Sequence, residues 1–113
     1  MAFDEGLAER LRALLERVPD VREQRMFGGL AFLVGGHMAC GVVGDELMLR
    51  LGQAGADAAL EQPDVRAMDF TGRPMTTMVF VAPAGIESQP ALERWVRQAV
   101  AHVGQLPKKT RRR

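Results

Sequence analysis

The sequence predicts an α+β fold, a two-layer sandwich of one antiparallel sheet with helices packed against it. The expected order is helix, three strands, helix, two strands, helix. Three observations point there. Gly35-Gly36 and Gly44-Asp45 separate short β-rich runs in the first half of the chain. Apolar residues recur at three- and four-residue spacing near both ends. The strands follow one another in hairpins instead of alternating singly with helices, which excludes a wound parallel sheet.

The chain opens with an amphipathic helix. Phe3, Leu7, Leu11, Leu14, Leu15 and Val18 share one face, while Glu9, Arg10, Arg12, Glu16 and Arg17 fill the other. Asp4 is placed to cap it and Pro19 to stop it. From Arg25 the pattern turns to strands, at Leu30–Val34, His37–Val43 and Glu46–Leu51. Two-residue turns with glycine suit tight hairpins, because glycine reaches positive φ without a Cβ clash. In the third of these strands Leu47, Leu49 and Leu51 alternate with Glu46, Met48 and Arg50. One sheet face should therefore pack on helices and the other be semi-polar. Gln53–Leu60 is Ala-rich and helix-prone and ends before Pro63. Val65–Asp69 reads as a short strand, Asp69–Pro74 as a turn-rich loop, and Met75–Ala82 as a strand closed by Pro83-Ala84-Gly85. Ser88 then caps a last helix with Pro90 in its first turn and Gly104 and Pro107 as stops. Its apolar stripe is Leu92, Trp95, Val96, Ala99, Val100 and Val103.

At 113 residues, 47% hydrophobic and 26% charged, the chain fits one globular domain, expected over residues 1–107. The net charge of +1 hides an asymmetry: Lys108, Lys109, Arg111, Arg112 and Arg113 carry five of the fifteen positive charges. Residues 1–107 are left with ten positive against fourteen negative, which excludes a uniformly basic nucleic-acid-binding body. A basic arm at 108–113 is not excluded; it either contacts phosphates by charge alone or is a disordered, solubilising terminus. One cysteine makes no intrachain disulfide, and the N-terminus lacks a signal-like apolar segment. A cytoplasmic protein with no membrane span is expected.

Gly28-Gly29 and Gly35-Gly36 lead into strands and not helix N-termini, so they read as turns and not phosphate cradles. His37, Cys40 and His102 match no zinc spacing, and in a regular strand His37 and Cys40 face opposite sides of the sheet. Cys40 reads as a small buried hydrophobe, and the methionines mainly as core filling. Met38, Met48 and Arg50 form a candidate row on the semi-polar face for protein contacts, a homodimer among them. The loop with Asp69 and Arg73 is the most site-like polar feature, weighed against an ordinary surface turn. No paired carboxylates at catalytic spacing and no nucleophile elbow occur, so no enzyme, cofactor or metal is expected.

The run Arg25-Met26-Phe27-Gly28-Gly29, the hairpin after it and Leu47-Met48-Leu49-Arg50 resemble the TfoX/Sxy N-terminal domain family. Phe80-Val81-Ala82-Pro83 and the helix from Leu92 through Trp95-Val96 extend the resemblance over nearly the whole chain, from about Leu7 to Pro107. It implies the α-β-β-β-α-β-β-α order; the best-known members carry a second, C-terminal domain for which 113 residues leave no room, so a stand-alone domain is expected. Its best-known members regulate natural competence alongside other transcription factors and are not enzymes, so it implies a regulatory or adaptor role. Phe27 is expected to anchor the strand start, and Gly28-Gly29 to form a bulge or permit close backbone approach. Arg25 and Arg50 are expected to lie near each other across the sheet.

Overall fold

Asp4 begins the first helix as its sequence position predicts. The computed structural model describes residues 3–26, 28–70 and 73–106, and for residues 69, 70 and 73–75 the backbone alone. An Asp4 carboxylate oxygen accepts from the Leu7 backbone N–H at 3.2 Å, and α1 (Glu5–Leu14) buries Leu7, Ala8 and Leu11. The helix stops earlier than the apolar spacing predicted. Leu15 caps it, and the Val18 N–H donates to the Leu15 carbonyl at 3.0 Å in a following turn. Val18 thus packs on the core without being helical.

Six antiparallel strands follow: β1 (Val21–Met26), β2 (Gly29–Val34), β3 (His37–Val43), β4 (Glu46–Arg50), β5 (Val65–Phe70) and β6 (Arg73–Val81). They lie in the order β1-β2-β3-β4-β6-β5. The first is a strand that the sequence reading missed. Its run Val-Arg-Glu-Gln-Arg-Met has four polar residues in succession and exposes all four, because β1 is an edge strand paired only with β2. What ties it to the domain is partly ionic. Arg12 on α1 donates to both Glu23 oxygens at 2.7 and 3.0 Å, and its guanidinium holds the Glu23 carboxyl below the usual range.

The expected loop at Asp69–Pro74 is also corrected. Asp69 pairs with Pro74 and Phe70 with Arg73, so these residues are the end of a β-hairpin. Proline is tolerated there because β4 pairs only with Met78–Val81, leaving the start of β6 with β5 as its one described neighbour. Between β4 and β5 lies α2 (Gly52–Ala59), and a 3-10 turn at Pro83–Ile86 leads to α3 (Gln89–Gly104). Ser88 caps α3, its hydroxyl accepting from the Ala91 N–H at 3.3 Å. No helix among the described residues is long and apolar enough to cross a membrane.

All three helices lie on one face of the sheet. Leu7, Leu11, Ala56, Leu92, Trp95 and Ala99 meet Leu30, Phe32, Val42, Leu47, Leu49 and Val79 in a single core. The alternation read in β4 holds: Leu47, Leu49 and Leu51 belong to this core and Met48 to the opposite face. That face has a second buried cluster of Ala31, Met48, Met68, Met78 and Phe80, which no helix residue joins.

Candidate functional site

The helix-free face is built from rows of residues directly opposite one another. The central row runs Gln24, Ala31, Gly41, Met48, Phe80, Arg66 across all six strands. Its middle is small on purpose of packing. A Cβ on Gly41 would stand 2.7 Å from the Met48 terminal methyl and 2.5 Å from the Leu30 carbonyl. Gly41 therefore leaves the slot in which the Met48 thioether lies flat along the sheet. On the other side of Met48 stands Phe80, and the Arg66 guanidinium sits 4.6 Å from its ring centroid. Glu46 holds that guanidinium through two bonds of 2.6 and 3.1 Å.

This arrangement corrects the expected contact row. Met48 is 1% exposed, so it is floor and not surface. Met38 and Arg50 are half-buried and stay at the surface of the same face. Sequence reasoning missed the residues that complete their row, Arg22 and Leu33, which pair in register as Arg22, Leu33, Met38. Met38 reaches this face only through a β-bulge. Phe32 pairs with Cys40 but Leu33 with Met38, so Ala39 is an extra residue that shifts the alternation. Half-buried Met26 and Val43 continue the apolar rim.

The same bulge overturns the expected separation of His37 and Cys40. His37 pairs with Val34, which lies on the side of Phe32, so both face the helices. His37 lines a cleft of about 220 Å³ with Pro19, Asp20, Val34 and Val103. Cys40 is wholly buried, and desolvation pushes its thiol up to about 12. His102 packs instead beside Gly52, where a Cβ would stand 2.6 Å from the ring. Among the described residues no group of three His, Cys, Asp or Glu side chains is arranged to hold a metal.

Arg25 and Arg50 are not neighbours. Arg25 pairs with Leu30 on the helix face and lies 5.7 Å from the Phe3 ring centroid, whereas Arg50 points to the other face. In the Met26-Phe27-Gly28-Gly29 motif, Met26 at the end of β1 pairs with Gly29 at the start of β2. Gly28 has φ +75°, and a Cβ on Gly29 would overlap the Val42 carbonyl, so each glycine is needed for a different reason. Phe27, Lys108, Lys109, Arg111, Arg112, Arg113 and the side chains of Asp69 and Arg73 lie outside the described residues.

Electrically, the helix-free face opposes the rest of the body. Its strands carry Arg22, Arg50 and Arg66 with Glu46 as the one carboxylate among the described side chains, and Glu46 is taken by Arg66. No ion pair engages Arg22 or Arg50 among the described residues.

Together these features define an α+β two-layer domain with one face closed by helices and the other floored by thioethers. The TfoX N-terminal domain family matches residues 13–103 of the chain, and the protein belongs to that family. The matched span runs from the end of α1 to the last turn of α3. Curated proteins give no match.

Proposed function

We propose that the protein is a non-catalytic regulatory or adaptor domain that works in the cytoplasm through protein contacts on its helix-free face. The regulated process is transcriptional, of the competence type that the family resemblance implies. One observation carries the contact reading: half-buried Met26, Leu33, Met38 and Val43 line a sheet face without helix cover, next to Arg22 and Arg50. Methionine-floored surfaces adapt to a partner because the thioether side chain has three soft torsions.

The test is affinity capture from native cytoplasm with the full chain, a form truncated after Pro107 and Met38→Asp, each with and without nuclease. A protein retained by the first two and lost with Met38→Asp is expected. Retention indifferent to Met38→Asp removes this face from the function. The charge at 108–113 favours a second reading, an accessory nucleic-acid binder. On that reading truncation abolishes retention on DNA or RNA at low salt; retention that survives truncation rejects it.

A further inference from the structure

Resting on that reading of the helix-free face, we infer that its occupant is an acidic, apolar-studded protein segment. The charge pattern selects it. Residues 1–107 carry an excess of four negative charges, yet this face presents Arg22 and Arg50 on either side of Leu33 and Met38. Arg22 is on β1 and Arg50 on β4, three strand spacings apart, or about 14 Å. An extended segment spans that gap with carboxylates about four residues apart. Each carboxylate accepts a forked pair of bonds from a guanidinium, which discriminates it from a neutral amide. Apolar side chains between them meet Leu33 and Met38, whose half-burial leaves part of each side chain to cover.

A second copy of this chain fits less well. Two such faces brought together by a two-fold axis set arginines against arginines, and pairing this face with a different surface of a second copy is heterologous, giving a ring or an open chain instead of a two-fold dimer. Nucleic acid fits less well again. Two guanidinium groups neutralise few phosphates, and the ring of Phe80, 3% exposed beneath Arg66, offers no base a stacking platform.

The experiment uses the full chain with methyl-labelled methionine, titrated with a short peptide of glutamates four apart and leucines between them. The controls are its glutamine isostere, a duplex DNA and the protein alone at rising concentration. Met38 and Met26 methyl signals are expected to shift with the acidic peptide, and Met48 and Met68, buried below, to report that the fold is intact. Arg22→Gln with Arg50→Gln weakens binding about tenfold, as does raised salt. Equal binding of the glutamine isostere, a stronger response to DNA, or the same shifts on self-association overturns the inference. The two readings fail separately: if capture still depends on Met38 while the isostere binds equally, only the acidic partner is rejected. If capture ignores Met38→Asp, both are.

Discussion

On the helix side of the sheet, Leu30, Phe32, Val42, Leu47, Leu49, Val79 and Val81 interlock with three helices; on the other, Ala31, Met48, Met68, Met78 and Phe80 form a buried cluster that no helix residue joins. Branched side chains hold few rotamers and need a partner layer of matching shape. Methionine bends to its neighbours, so a thioether such as that of Met48, beside Gly41 and Phe80, seals its part of the sheet face from within the layer. The comparison teaches that Met48 is buried less by a covering element than by what lies opposite it, Gly41 on one side and Phe80 on the other. It also places the adaptable part of the surface at the rim, where Met26 and Met38 are half-buried.

The largest effect that breaks this picture comes from charge. Met48→Asp puts an unpaired carboxylate where the side chain is 1% exposed, and a loss of about 3–5 kcal/mol is expected in urea unfolding followed by the lone Trp95. Met38→Asp, on the same face but at its rim, stays folded with a far smaller loss. Equal stability of the two variants contradicts a sealed floor. Next comes Gly41→Ala, whose added methyl meets the Leu30 carbonyl as well as Met48. Backbone gives way less readily than a side chain tip, so a loss of about 1–3 kcal/mol is expected. Combining it with Met48→Ala recovers only part of that loss, because the clash with Leu30 remains. Full recovery shows that Gly41 serves Met48 alone.

The same contrast explains how much of the molecule was legible in its sequence. Local patterns on the helix side were readable: Leu47, Leu49 and Leu51 alternate, Asp4 and Ser88 cap, and His37–Val43 has the bounds expected. β1 was not, since an edge strand held by one neighbour and by Arg12 needs no apolar alternation. Nor was the extra residue at Ala39, and that single register shift decides which face His37 and Met38 occupy. Met48 alternates as the sequence shows, but its burial depends on Gly41 across the hairpin and Phe80 on a strand that arrives after α2. Those neighbours are set by topology. The family resemblance was legible because it rests on order and spacing along the chain; Arg22 and Leu33 were missed because their row exists only across strands.

A smaller effect sharpens the helix side. Cys40 has its thiol pushed from 9.0 to about 12 by burial alone. The unfolded chain releases that proton above pH 9 while the folded chain keeps it, so the unfolded state binds fewer protons there. Stability from this site is full below pH 9 and declines as pH rises towards 12, by about 1.4 kcal/mol at pH 10. Urea midpoints at pH 8 and pH 10 test this, with Cys40→Ala expected to flatten the difference by that amount. Thiol labelling of the native protein should proceed only as fast as the fold opens. Rapid labelling without unfolding contradicts the burial.

The smallest expected effect falls on the methionine side and asks what covers Phe80. Arg66 is bonded to Glu46 and lies over the ring, yet its side chain is 59% exposed, so solvent screens the ion pair. Arg66→Ala is expected to cost about 1 kcal/mol or less, and the Arg66–Glu46 coupling in a double-mutant cycle to fall at high salt. Arg66→Lys restores the charge without the fork and recovers little of the coupling. A much larger loss, unchanged by salt, assigns Arg66 to the seal itself, its stem covering Phe80 as a helix covers Phe32 on the opposite face. The two faces then differ in the size of their cover and not in whether they have one.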